Sequence, residues 1–212
     1  MIIAIDGPDG CGKSSTIQKL ADFFPNNEVV CTRCPGAPQS ETCMKLREIF
    51  LSDKTSKSAQ YNIIWADFYQ MFEEVIKPNF GKVILIDRFI TSTYVYQGVL
   101  NSYSPGIEKL TVDTLKFYNK YKKLWPKYLF YLSAPNRTLQ RRLSKRVGVK
   151  TEFDKMVLYD PQLVLNTYEQ SIEWLAKLFY PDPFSIKTID ADRPLKHIAQ
   201  DIYNIIKPGL KL

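Results

Sequence analysis

Short apolar runs alternate along the chain with segments whose apolar residues recur at helical spacing. The runs at 2–5, 29–31, 83–86, 129–132 and 186–189 predict five strands. Several are apolar at consecutive positions, the mark of strands covered on both faces. Ile17, Leu20, Ala21 and Phe24 fall on one side of a helix that follows the first strand. Tyr61, Ile64, Trp65, Phe68, Phe72, Val75 and Ile76 form a longer stripe that ends before Pro78. Ile198, Ile202 and Ile205 mark a C-terminal helix. Strands alternating with helices predict a single α/β domain over residues 1–212, a five-stranded parallel sheet flanked by helices with no interdomain linker. Helix packing accounts for most of the 61–76 stripe.

Composition keeps that picture and narrows it. Of 212 residues, 45% are hydrophobic and 24% charged, which excludes a disordered, collagenous or low-complexity chain. A core of this size folds without disulfides or metal. No apolar run approaches the ~18 residues of a membrane span. The opening Met1-Ile2-Ile3-Ala4-Ile5-Asp6 lacks the basic region and cleavage site of a secretory signal. A cytoplasmic protein is therefore expected, in the host cytosol if the source is viral. The net charge of +7 points to an anionic partner. Cys31 and Cys34 have the spacing of a zinc half-site, but no second Cys/His pair follows, and the single histidine, His197, is far along the chain. With Cys11 and Cys43 they read as reduced, partly buried thiols.

The strongest chemical signal is Gly7-Pro8-Asp9-Gly10-Cys11-Gly12-Lys13-Ser14, a G-x-x-x-x-G-K-S phosphate loop directly after an apolar strand and before a helix. The glycines permit a tight turn whose backbone N–H groups face inward around a phosphate, and the helix N-terminus adds its positive end. Lys13, on a loop expected to face solvent, can bridge terminal phosphate oxygens, and the Ser14 hydroxyl can coordinate Mg²⁺. The third strand ends in Asp87-Arg88, and an acid there suits Mg²⁺ held through water. A salt-bridged strand end is the structural alternative. Arg137, Arg141, Arg142, Lys145, Arg146, Lys150 and Lys155 stand against only Glu152 and Asp154. Beside a phosphate loop, this 137–155 stretch reads as a basic lid that closes on ATP. No nucleic-acid module accompanies it, so no stable nucleic-acid partner is expected.

With these residues in place the chain resembles the thymidylate kinase family of nucleoside monophosphate kinases, almost end to end. The phosphate loop carries that family's internal acid, Asp9. Thr32-Arg33-Cys34-Pro35-Gly36 is similar to its T-R-E-P-G segment, with Lys45-Leu46-Arg47 in the basic helix beyond. Asp87-Arg88-Phe89-Ile90-Thr91-Ser92-Thr93-Tyr94-Val95-Tyr96-Gln97-Gly98 resembles D-R-[YFH]-x-x-S-x-x-A-Y-Q-G, and Ile189-Asp190-Ala191 resembles the turn near the adenine.

The resemblance implies ATP-dependent phosphorylation of a deoxynucleoside monophosphate, with dTMP converted to dTDP as the leading case and Mg²⁺ as the ion. Gly7, Asp9, Gly10, Cys11, Gly12, Lys13, Ser14 and Ser15 would hold ATP, with Arg142 against its adenine. Asp9 would lie near the acceptor sugar and the transferring group. Arg33 and Arg88 would grip the acceptor phosphate, with Ser92 and Thr93 beside them. Tyr96 would pack beneath the sugar and disfavour a 2′-hydroxyl, and Gln97 would face the base. The phosphate loop has no arginine, so the lid, with Arg146, would supply the transition-state cation. A homodimer is also implied, with the 61–76 stripe as a candidate contact.

The departures lie elsewhere. Cys34 replaces the glutamate of T-R-E-P-G, and Ser133 stands where the fourth strand usually ends in aspartate. In Ile63-Ile64-Trp65-Ala66-Asp67-Phe68, aligned with L-F-A-x-D-R, Ile64 replaces the aromatic that stacks on thymine and Phe68 the arginine that reaches its carbonyl. Trp65 and Phe68 are the neighbouring aromatics available to restore a stacking face. Looser base discrimination follows as an expectation. The alternatives are a deoxynucleoside kinase, a kinase of broader specificity taking 5-modified pyrimidine nucleotides, and a nonenzymatic nucleotide-binding or DNA-associated protein.

Overall fold

β1 (Ile2–Asp6) is buried at every position, as a central strand covered on both faces must be. The glycine-rich loop leads into α1 (Lys13–Ala21), whose Ile17 and Leu20 pack inward. β2 (Val29–Arg33) follows, then α2 (Glu41–Leu51) and α3 (Lys57–Met71). Each of these helices is opened by a serine, Ser40 or Ser56, whose side chain accepts a hydrogen bond from the backbone N–H three residues on. β3 (Val83–Asp87) precedes the short α4 (Ile90–Thr93), and α5 (Gly106–Tyr121) leads to β4 (Tyr128–Ser133). α6 (Asn136–Ser144) and α7 (Glu152–Tyr159) carry the basic stretch, and Thr151 and Asp154 close α7 with a reciprocal capping box. α8 (Pro161–Leu178), β5 (Ser185–Asp190) and α9 (Leu195–Ile206) complete the order. The structure, a computed structural model, describes residues 1–100, 106–148, 150–180 and 184–210, so position 149 of the basic stretch lies outside the described residues.

The sheet order is β2-β3-β1-β4-β5, and every pairing is parallel. The chain turns to one side of β1 for β2 and β3 and to the other for β4 and β5, so the connections part above β1. Crevices of that kind, at the carboxyl ends of parallel strands, are where α/β folds bind ligands. Register brings the polar strand ends to one rim: Asp87 pairs with both Ile5 and Arg33, and Ser133 with Asp190. Among the described residues no helix is long and apolar enough to cross a membrane.

The five strands fall where the apolar runs put them, but each continues one or two residues further, to Asp6, Arg33, Asp87, Ser133 and Asp190. Apolarity alone could not find those ends, because the polar residues at the rim belong to the ladder and to the site together. The 61–76 stripe is not one α-helix. α3 ends at Met71 and the backbone widens into a π-helical turn over Phe72–Ile76. Its seven apolar residues are all buried within the chain, at 7% exposure or less. The stripe is therefore taken up by the core and offers those side chains to no second copy. In α9 the buried face is Ile198, Ala199, Ile202 and Ile206, with Ile205 only half-buried, a shift of one position.

Candidate active site

The loop after β1 turns where a side chain could not follow. Gly7 has φ +145°, and a Cβ there would lie 2.5 Å from the Leu132 carbonyl oxygen. Gly7 thus sits beneath the loop, while residues 9–15 line the cleft above it. Lys13 does not face solvent as expected. It is 6% exposed, and its Nζ donates to the carbonyls of Gly7 (2.8 Å) and Pro8 (2.9 Å). A buried cation must have acceptors, and the loop's own carbonyls supply them. Cys11 lies beside it, and burial pushes that thiol up, which keeps it neutral.

At the start of α1 the Ser14 hydroxyl donates to Asp87 Oδ2 at 2.5 Å. The other Asp87 oxygen, Oδ1, is buried without a hydrogen-bond partner. A buried carboxylate oxygen of this kind is suited to a cation or a cation-bound water. This hydroxyl and carboxylate form a hard-oxygen donor pair of the kind that Mg²⁺ takes.

Arg88 has φ 72°, the left-handed region that non-glycine residues rarely enter. Its Nη2 donates to Asp9 Oδ1 (2.5 Å), its Nη1 to Ser92 Oγ (3.0 Å) and to the Tyr168 hydroxyl (3.3 Å). The Tyr96 hydroxyl donates to Asp9 Oδ2 at 3.2 Å. Burial opposes the charge on Asp9, but Arg88 and then Lys13 outweigh it and hold the carboxyl at about 2. Asp6, fully buried, fixes this turn to the phosphate loop. It accepts from the N–H groups of Gly7, Phe89 and Ser92 and from the hydroxyls of Thr91 and Ser92. The sequence pattern ends the first strand at Ile5 and gives Asp6 no role at the site.

Arg33, at the end of β2, donates from Nε to the Gly36 carbonyl (2.9 Å), and Arg47 from α2 donates to the Pro35 carbonyl (2.7 Å). Burial, and then the neighbouring Arg33 and Arg88 charges, lower the Arg47 guanidinium. Arg47 thus faces two like charges at one end of the cleft. Asp67, fully buried, holds the intervening loop through the Cys34 thiol (3.2 Å) and the Gly36 N–H (3.0 Å). Cys34 in place of glutamate therefore works as a donor to this carboxylate. Cys31 is half-buried, and among the described residues no cluster of three or more His, Cys, Asp or Glu could hold a metal, so the zinc half-site does not assemble.

Beyond the guanidiniums the cleft becomes apolar. Ile64 and Phe68 line it, with Thr93, Tyr96 and Gln97. Phe68 is 1% exposed and its ring packs against Trp65, Phe89 and Phe117 at centroid distances of 5.7, 5.8 and 5.6 Å. Trp65 does not line the cleft; its ring is engaged by Tyr61, Phe68 and Phe117. It supplies no stacking face. Phe50 and Phe153, neither singled out from the sequence, do line the cleft.

Arg142 reaches across the other end. Its Nη1 donates to the Cys11 carbonyl (3.1 Å) and its Nη2 to the Ala191 carbonyl (2.9 Å), tying α6 to the phosphate loop and to the turn after β5. Arg146 forms an ion pair with Asp154 at 2.8 Å. Lys145 also lines the cleft, but Arg137 turns to a separate shallow depression beside Ser133 and Gln162. The basic stretch is therefore not one functional face. Lys13, Ser14, Arg33, Asp87, Arg88, Tyr96, Gln97 and the other residues expected to bind ATP, acceptor or Mg²⁺ open, apart from Gly7, onto one cleft of about 690 Å³, and of the basic stretch Arg142, Lys145 and Arg146 join them.

A family model, described as "Thymidylate kinase", matches residues 5–202. Similar proteins include thymidylate kinases of Sulfurimonas denitrificans, 30% identical and covering 97% of this chain and 99% of that protein, and of Thermosipho africanus, 29% identical and covering all of both. One from Lactobacillus acidophilus is 31% identical, covering 98% of this chain and 94% of its own. The crystal structure of thymidylate kinase from Ehrlichia chaffeensis shares the fold, with a TM-score of 0.67 over 97% of this chain and 98% of that one at 19% identity. Loop, rim and cleft thus agree with a family match over nearly the whole length: the chain belongs to the thymidylate kinase family, and so to the nucleoside monophosphate kinases.

Proposed function

We propose that this protein transfers the terminal phosphoryl group of ATP to the 5′-phosphate of a deoxynucleoside monophosphate, with dTMP as the leading acceptor and dTDP as product. The observation that carries the reading is the meeting of two cationic sites in one cleft: the phosphate loop with Lys13, and the Arg33, Arg47 and Arg88 group. Transfer between two polyanions needs little covalent help. It needs the reactants held in line and their charge offset.

In this reading Lys13 exchanges its loop carbonyls for terminal phosphate oxygens. Ser14 and Asp87 would hold Mg²⁺, Asp87 through water, and the ion would offset charge on the donor phosphates. Arg33 and Arg88 grip the acceptor phosphate in bidentate fashion. Asp9 keeps the Arg88 fork aimed, and Tyr96 packs beneath the sugar where a 2′-hydroxyl would crowd it. Arg142 lies along the adenine. Arg146 exchanges Asp154 for the transferring group, acting with Lys145 as the part of the basic lid that reaches the cleft. A homodimer and a cytoplasmic location belong to the same proposal.

A deoxynucleoside kinase needs a carboxylate base for a neutral hydroxyl. Asp9, paired with Arg88 and held at about 2, is a poor one. The test is coupled ADP release with dTMP, dUMP, dCMP, dGMP and thymidine. Turnover with dTMP and none with thymidine supports the reading; turnover confined to thymidine overturns it.

A further inference from the structure

We propose that Phe153, backed by Phe50, supplies the stacking face for the acceptor's pyrimidine base that Ile64 and Phe68 do not. The inference rests on the nucleotide reading above and goes on to name the residues that hold the base. Ile64 has no π face, Trp65 is outside the cleft, and the Phe68 ring is packed among Trp65, Phe89 and Phe117. Phe153 is only half-buried, lines the cleft, and stacks on Phe50 with centroids 5.7 Å apart and planes 22° from parallel.

Position argues for the base rather than the phosphate. The Arg88 guanidinium lies over the Tyr96 ring at 5.6 Å, and Tyr96 meets Phe153 at 4.9 Å. The order Arg88, Tyr96, Phe153 follows the order phosphate, sugar, base in a nucleotide. Gln97, next to Tyr96 in the chain, lines the same cleft and remains the polar reader.

Phe153 is also held firmly enough to serve. It lies in the first turn of α7, between Glu152, which is ion-paired with Lys57 at the start of α3, and Asp154 of the capping box. Phe50 behind it is 3% exposed, and its carbonyl accepts from Gln60 Nε2 at 3.0 Å. A rigid ring of this kind stacks on any pyrimidine, which suits a pocket whose hydrogen-bonding arginine is gone.

The experiment compares wild type with Phe153→Ala, Phe153→Leu and Phe153→Trp. The Leu variant keeps apolar bulk and guards against a folding defect, checked by thermal unfolding. For Ala and Leu, kcat/KM for dTMP and dUMP should fall alike by ~10-fold or more, with KM for ATP within about twofold of wild type. Trp should restore most of the loss. The inhibition constant of 2-deoxyribose 5-phosphate, which has no base, should stay within about twofold. Unchanged acceptor kinetics, or an equal loss for the baseless sugar phosphate, overturns the inference and leaves the nucleotide reading standing. Absence of dTMP turnover in the wild type removes the nucleotide reading itself.

Discussion

At the donor end of the cleft the functional groups are charges fixed by backbone: Lys13 opens α1, Asp87 ends β3, and Asp6 ends β1 and binds five donors. At the base end they are apolar walls from α2, α3 and α7. The first arrangement agrees with the family pattern and the second departs from it. Polyanions leave little choice, because cations and donors must be preorganised where the phosphate charge sits. An apolar wall can be rebuilt from another helix if a ring of similar size reaches the same space. The comparison therefore predicts strict phosphate chemistry and permissive base recognition in one cleft.

The largest expected effect tests whether the base end can be turned back by one substitution. Phe68→Arg restores the family's residue but puts a guanidinium where Trp65, Phe89 and Phe117 pack. An unpaired buried charge costs roughly 3–5 kcal/mol, so chemical denaturation should show a loss of that order with no sharpening for thymine. A variant of wild-type stability that discriminates bases better would show that the departure is one residue deep.

At the donor end, Lys13→Ala should lower kcat at least ~100-fold, the scale of losing one preorganised charge stabiliser. Steady-state kinetics at saturating ATP checks this. The two carbonyl contacts of the ammonium add a modest stability loss of ~1–2 kcal/mol. Full turnover in this variant would move the chemistry away from the loop.

The Asp9–Arg88 pair should appear in the pH dependence of stability. The folded Asp9 carboxyl is lowered from 3.8 to about 2, so its contribution is fully present above pH ~4 and is lost as pH falls through about 2. A lowering of that size corresponds to about 2 kcal/mol. Urea unfolding of wild type and Asp9→Asn between pH 2 and 6 should converge at the acid end. A constant difference would mean that the pair does not hold the carboxylate.

Smaller effects are expected from Arg33→Lys and Arg88→Lys. Lysine keeps the charge and loses the fork, so kcat/KM for the acceptor should drop by about 10-fold while KM for ATP holds. A fall in ATP affinity alone would assign these arginines to the other nucleotide.

What the sequence disclosed follows the same division. Parallel strands buried on both faces read as unbroken apolar runs, and the phosphate-loop spacing falls between an apolar strand and a helix, the context that gives it meaning, so sheet and donor end were legible. Apolarity found the strand ends less well: Asp87 was legible as the acid closing the third strand, but Arg33 and Asp190 are polar yet paired in the ladder. α5 and α8, the longest helices, had no place in the five-run pattern. Phe153 was hidden within a basic stretch, and Arg47 within a helix noted only for its character. The burial of Lys13 depends on which acceptor it finds, a question of tertiary contact rather than of motif.

The central claim is that the cleft is strict for phosphate and permissive for the base. The most direct measurement is kcat/KM for dTMP, dUMP, 5-hydroxymethyl-dUMP and thymidine in one assay. The account predicts no measurable thymidine turnover and a preference for dTMP over the two other nucleotides well below 1,000-fold, since one methyl group in an apolar pocket is worth only ~1–3 kcal/mol. A preference of ~1,000-fold or more, about 4 kcal/mol, or turnover of thymidine at a rate near that of dTMP, would contradict it.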